Sequence, residues 1–209
     1  MFKNLYRYLA VLLFMFSAAT NAYSASKTVL VVGDSLSAEY GISRGTGWVA
    51  LLEQRLKEQK VPANVINASV SGETTSGGRT RLPALLSKHK PDIVVIELGA
   101  NDGLRGLPVP AAEANLRAMI DASQKAGARV LLVGNRMPPN YGRDYADKFF
   151  SMFGTVSRDV KVPLAPFMLD GVAQKPELFQ PDRLHPVAEA HPIILGNIWP
   201  HLQPILKAK

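Results

Sequence analysis

An α/β fold is predicted for this chain: a three-layer α/β/α sandwich around a five-stranded parallel sheet in 2-1-3-4-5 order. Three observations predict it. Short β-branched runs alternate with segments of helical periodicity from residue 27 onward, the pattern of successive βαβ units. The run at 92–98, Asp-Ile-Val-Val-Ile-Glu-Leu, is almost continuously apolar, as a strand covered on both faces must be. No linker, repeat or low-complexity stretch interrupts the 209 residues, a length suited to one domain with a sizeable core.

Residues 27–32 form the first predicted strand. Residues 47–59 read as a helix because Trp48, Leu51, Leu52 and Leu56 recur at helical spacing. A short strand at 64–67 is followed by a helix at 75–89 carrying Leu82, Leu85 and Leu86. After the third strand at 92–98, a helix at 111–125 presents Leu116, Met119 and Ile120. A strand at 129–134, a helix at 144–159 and a short strand at 162–165 come next. The terminal segment at 186–206 reads as a helix interrupted by prolines.

The first 25 residues are set apart from this alternation. Lys3 and Arg7 precede an apolar stretch at 9–16, then Ser17-Ala18-Ala19 and a small-residue exit at Ala22-Tyr23-Ser24-Ala25. That is a signal-peptide pattern. Its apolar core of about ten residues is half of the roughly 20 that span a bilayer. The expected organisation is a leader at 1–25, cleaved within about 22–25, and one domain at 26–209. The destination is periplasmic or secreted, with no stable membrane anchor after cleavage. Zero cysteines exclude a disulfide framework, a thiolate nucleophile and a thiolate metal site. The net charge of +7 falls to about +5 without Lys3 and Arg7. Such a surface can favour anionic lipid or an acidic envelope, although scattered solvated Lys and Arg also account for it. No basic run suggests nucleic-acid binding.

In a sheet of this order, ligands bind beyond the carboxyl ends of the strands, at the switch point beside strands one and three. Polar groups cluster there. Strand one ends in Gly33-Asp34-Ser35-Leu36-Ser37, which places a hydroxyl and a backbone N–H at the end of a rigid element, as serine nucleophiles require. Gly-Asp-Ser is also ordinary turn composition. Strand two leads into Val70-Ser71-Gly72-Glu73-Thr74, where Gly72 can offer an unobstructed N–H or serve as a plain turn glycine. Strand three leads into Gly99-Ala100-Asn101-Asp102-Gly103. The Asn101 amide can donate to an oxyanion without ionising, or Asn101 can simply occupy a left-handed turn. Near the C-terminus, Asp182-Arg183-Leu184-His185-Pro186 holds a histidine on an extended approach to a helix that Pro186 can begin. Asp182 can orient the His185 ring or cap that helix.

Taken together, these four blocks resemble the SGNH (GDSL) hydrolase family. The stretches Val70–Thr74, Glu97–Gly106 and Pro139-Asn140-Tyr141-Gly142 are similar to its bacterial periplasmic thioesterase, lysophospholipase and arylesterase branch. The resemblance spans essentially the whole chain after the leader and implies the flavodoxin-like 2-1-3-4-5 order. It implies Ser35 as nucleophile, His185 as general base and then acid, and Asp182 as its orienter. The oxyanion hole would be the Ser35 and Gly72 N–H groups with the Asn101 amide. Leu104, Met137 and Tyr141 would contact an acyl or aryl group. The substrate would be a small-molecule ester or thioester, with no cofactor and no metal. One departure is His191-Pro192, which puts the continuity of the terminal helix in doubt.

Other chemistries fit less well. Gly-x-Ser-x-Gly is absent because Ser37 follows Leu36, and Gly77-Gly78 is no phosphate loop. His185, Glu189 and His191 match no standard zinc spacing. Asn67-Ala68-Ser69 has the form of a glycosylation sequon but ends a strand. The alternatives are a carbohydrate O-deacetylase and a non-catalytic envelope protein that binds an acyl or sugar ligand. Oligomeric state leaves no mark in the sequence.

Overall fold

Two buried strands set the centre of the molecule. In the computed structural model, which describes residues 26–208, β1 (Lys27–Gly33) runs parallel to β3 (Ile93–Glu97), with Val29 opposite Ile93 and Gly33 opposite Glu97. β2 (Ala63–Asn67) pairs with the outer side of β1; β4 (Arg129–Val133) and then β5 (Leu164–Ala165) extend beyond β3. The order is β2-β1-β3-β4-β5, parallel throughout, as the sequence predicts. The expected leader and its cleavage zone lie outside the described residues.

The two-residue period of the strands divides the core. Val29, Val31, Ile93, Val95 and Leu131 face α1 (Trp48–Glu58) and the terminal helix. Leu30, Val32, Val94, Ile96, Val130 and Leu132 face the other helical layer. That layer contains α2 (Thr75–His89), then, after the short α3 (Ala100–Leu104), α4 (Val109–Lys125) and α5 (Arg143–Val160). Each fully buried aliphatic side chain contributes roughly 1.5–3 kcal/mol, so a register slip of one residue would turn both layers' contacts inside out.

Four elements depart from expectation, the first being β5, which is two residues long rather than the four expected at 162–165. α3 was not anticipated, because five residues are too few to show a period. α4 begins at Val109 rather than 111, with Pro110 in its first turn, where its fixed φ is helical and its missing N–H costs nothing. The terminal helix does not begin at Pro186. That residue bridges antiparallel to Phe179, residues 188–190 form a 3₁₀ turn, and α6 proper is His191–Lys207. The helix is nonetheless continuous. Pro192, Gly196, Pro200 and Pro204 recur every fourth residue along its exposed side, where carbonyls freed by the prolines can reach water.

His191 links the two helices of one layer. It is buried, and its Nδ1 accepts the Trp48 N–H at 3.0 Å, capping α1, whose N-cap Gly47 has no side chain to do so. Burial lowers the His191 pKa to about 4, against the smaller pull of Glu39. The folded state therefore disfavours the protonated ring that the unfolded chain accepts near pH 6.5. Stability should be intact above pH 6.5 and fall by up to about 3 kcal/mol as pH drops towards 4. Urea unfolding at neutral and acid pH measures this, and His191→Gln should flatten the dependence.

Candidate active site

Close approach of β3 determines how β1 can end. A Cβ on Gly33 would sit 2.8 Å from Glu97 Oε2 and from Ser37 Oγ, so any side chain there would push these two groups out of place. The chain then turns sharply: Leu36 N donates to Asp34 Oδ1 at 3.0 Å, and Ser37 and Ala38 donate back to the Asp34 carbonyl at 3.2 and 3.0 Å. Ser35 is thereby presented, partly buried, at the carboxyl end of β1.

Beneath the turn lies a polar network that the motif reading missed. Glu97 Oε2 accepts the Ser37 hydroxyl at 2.6 Å and the Asp34 N–H at 3.4 Å; Ser37 Oγ accepts Trp48 Nε1–H at 3.0 Å. Asn67 adds a bond from its amide to the Ser37 carbonyl at 2.7 Å. Burial, reinforced by the nearby Asp34 charge, pushes the Glu97 carboxyl well above the usual carboxylate range. The available signal was a glutamate inside a run otherwise suited to burial on both faces.

His185 Nε2 lies 2.9 Å from Ser35 Oγ, and its Nδ1 lies 2.7 Å from Asp182 Oδ2. The loop that carries both residues is pinned at its base. Gln180 N donates to the His185 carbonyl at 2.8 Å and Val187 N to the Leu178 carbonyl at 2.9 Å, with Arg183 at φ 57 in the tip. Asp182 does not cap a helix. Its Oδ1 takes the N–H groups of Leu184 and His185 at 2.9 and 3.0 Å, so one carboxylate shapes the loop and orients the ring. Burial alone would raise its pKa, but those bonds and the His185 side chain hold it down at about 2. A hydroxyl, an imidazole and a fixed anion in line are the geometry for withdrawing a proton from Ser35.

Asn101 stands in the first turn of α3 rather than in a left-handed turn. The unusual backbone belongs to Gly99, at φ 122, where a Cβ would meet the Phe153 ring. The Asn101 amide donates to Asp34 Oδ2 at 3.1 Å, leaving its second N–H for the cleft. Burial raises Asp34 to about 6, despite hydrogen bonds from Leu36 and Asn101. The neighbouring Asp102 is buried on Thr75, taking its N–H at 2.8 Å and its hydroxyl at 2.6 Å. Gly72 has φ +79, and Arg105 holds its carbonyl at 2.9 Å. It lies on the same edge of the sheet but is not among the residues that line the cleft.

That cleft, about 1160 Å³, runs from Ser35, Asn101 and His185 to Phe150 and Phe167. Leu104 and Met137 line it as expected. Tyr141 does not, and packs against the core below instead. The cleft also carries Arg136, whose guanidinium stacks 4.0 Å from the Phe150 ring centroid. Among the described residues, no cluster of His, Cys, Asp and Glu is arranged to hold a metal.

Residues 31–193 match the model of the GDSL-like Lipase/Acylhydrolase family. The chain is 47% identical over 183 residues to esterase TesA of Pseudomonas aeruginosa, covering 88% of this chain and 91% of that one. It is 39% identical over 205 residues to thioesterase 1/protease 1/lysophospholipase L1 of Escherichia coli, covering 98% and 97%. Among solved structures, esterase EstA from Pseudoalteromonas sp., inhibited by monoethylphosphonate, superposes with a TM-score of 0.83 at 42% identity, covering 87% of this chain and 100% of that one.

Removing Glu97 leaves the donors of Ser37, Trp48 and Asp34 poorly satisfied. Glu97→Ala should cost about 2–4 kcal/mol in denaturant unfolding, and Glu97→Gln, which keeps an acceptor and the volume, less than half of that.

Proposed function

Because the chain belongs to the GDSL-like lipase/acylhydrolase family, we propose that it is a serine esterase cleaving carboxylic esters and thioesters through a covalent acyl-enzyme. The observation that carries this reading is the unbroken chain from Ser35 Oγ through the His185 ring to the Asp182 carboxylate, at 2.9 and 2.7 Å. Ser35 Oγ attacks the carbonyl carbon as its proton passes to His185 Nε2, and Asp182, ionised down to about pH 2, stabilises the imidazolium. The oxyanion is received by the Ser35 N–H and the free N–H of Asn101, with the N–H of Gly72, on the neighbouring loop outside the cleft lining, as the third donor that the family resemblance implies. Collapse breaks the bond to the leaving alkoxide or thiolate, which takes the proton from His185. Water, deprotonated by the same ring, then releases the acid and restores Ser35. No step draws on a metal or cofactor.

The cleft supports substrates with an extended acyl or aryl group. Its length and its Leu104, Met137, Phe150 and Phe167 lining suit such groups better than a sugar acetate, which needs a small polar pocket. The names of the relatives agree: esterase in one, thioesterase and lysophospholipase in the other. Retention of all four blocks also weighs against a purely binding role. The N-terminal pattern supports export to the periplasm or beyond, and among the described residues no helix is long and apolar enough to cross a membrane.

A panel of p-nitrophenyl esters of increasing chain length, set against a sugar acetate, tests the reading. Activity should rise beyond acetate, and a preference for the sugar ester would favour the deacetylase. Ser35→Ala should lower kcat by about 10⁴-fold or more. Asn101→Ala should lower it by about 10²–10³; near-full activity in a folded variant would remove Asn101 from the oxyanion hole. A chelator should leave the rate unchanged, and an activated p-nitrophenyl phosphonate ester should phosphonylate Ser35 with release of p-nitrophenolate.

A further inference from the structure

Four large apolar side chains are exposed among the described residues: Tyr40 at 50%, Val70 at 48%, Leu107 at 37% and Leu184 at 44%. Single exposed apolar residues need no explanation. These four are not scattered. Tyr40 follows β1, Val70 follows β2, Leu107 follows β3, and Leu184 lies between Asp182 and His185. In a parallel sheet, loops at the strands' carboxyl ends share one edge, and contacts bind these into one rim. The Tyr40 ring lies 4.3 Å from that of His185, Gln180 Nε2 donates to the Tyr40 carbonyl at 2.9 Å, and Arg105 reaches the Gly72 carbonyl at 2.9 Å. The cleft meets this rim at Leu184, beside Ser35 and His185.

The charges on the same loops are one-sided. Every carboxylate in segments 34–47, 68–74, 98–108 and 179–187 is turned to an internal partner. Asp34 and Asp102 are buried, Glu39 takes the N–H groups of Gly45 and Gly47, Glu73 pairs with Arg81, and Asp182 holds His185. Arg44, Arg105 and Arg183 are exposed and, among the described residues, none is in a salt bridge. Apolar side chains interspersed with unneutralised guanidinium groups fit a surface that offers hydrocarbon and negative charge together.

We propose that this rim docks on an anionic lipid bilayer and sets the mouth of the cleft at the headgroup layer, where an acyl ester can enter from the lipid. The purpose of the contact rests on the esterase reading; the binding itself does not.

The experiment therefore uses the Ser35→Ala chain, which cannot alter the lipid. Its sedimentation with phosphatidylcholine vesicles containing phosphatidylglycerol should exceed that with pure phosphatidylcholine by about fivefold or more at low salt and weaken at high salt. Val70→Ser with Leu107→Ser should reduce binding about tenfold. Arg44→Glu, a single exposed change, should remove much of the preference for anionic vesicles. In the Ser35 background, neither variant should change hydrolysis of a soluble short-chain ester. Equal binding to both vesicle types, or binding that neither variant weakens, overturns the proposal. So does a dimer that the Val70/Leu107 variant dissociates without any vesicle binding, since the rim would then be a face between copies. Loss of the esterase reading would appear separately, as ester hydrolysis that survives Ser35→Ala.

Discussion

The site depends on a carboxyl group that never meets substrate. Glu97 ends β3 directly opposite Gly33 and takes the Ser37 hydroxyl at 2.6 Å, while that hydroxyl takes the Trp48 indole N–H at 3.0 Å. One buried acceptor thus joins the end of β3, the turn that carries Ser35 and the start of α1. A side chain at position 33 would displace it. Burying such a group is costly unless its partners are well placed, and here the parallel register supplies them. The position of the Ser35 hydroxyl follows from strand pairing rather than from flexible side-chain contacts.

Three carboxyl groups within the same edge of the sheet are separated electrostatically by their surroundings. Asp182 sits in an exposed loop among N–H donors and stays low, at about 2. Asp34, buried under Asn101, rises to about 6, and Glu97, also buried and beside the Asp34 charge, is pushed well above the usual carboxylate range. A fixed negative charge is thus present where an imidazolium would need support. The charged form of Asp34, close to where an oxyanion would form, is less favoured than that of Asp182. Asp34 also makes the nucleophile turn and the amide donor one unit, since its side chain holds Leu36 with one oxygen and Asn101 with the other.

The second helical layer carries the cleft while the first anchors the turn. Phe149, Phe153 and Met152 of α5 are buried against the sheet, but Phe150, on the other side of the same helix, reaches the cleft and supports Arg136. Specificity can therefore change along one face of α5 without touching the Glu97, Ser37 and Trp48 side chains, none of which lines the cleft. The rim of exposed apolar residues belongs to the loops after β1, β2 and β3 and to the loop of His185, and the first and third of these also send Leu36 and Leu98 into the core.

Periodicity and motif order sufficed for the parallel sheet, its order and most helices, and singled out Ser35, Gly72, Asn101, Asp182 and His185, of which the structure joins Ser35, His185 and Asp182 by hydrogen bonds. Those features are local: alternation is written residue by residue, and each polar block immediately follows the strand that delivers it. The family resemblance supplied the roles that spacing left open between turn and chemistry. Contacts distant in sequence were not legible. Nothing near Pro186 foretold its bridge to Phe179, nothing near Gly47 named His191 as the missing cap, and Tyr141 looked suited to a cleft it does not line. Glu97 was visible as an anomaly, but its partners Ser37 and Trp48 lie 60 and 49 positions earlier in the chain. The sequence by itself determined which elements form and which chemical groups stand at their ends. Only the tertiary structure decided which groups meet, because burial and hydrogen bonding are settled by whichever strand and helix pack alongside.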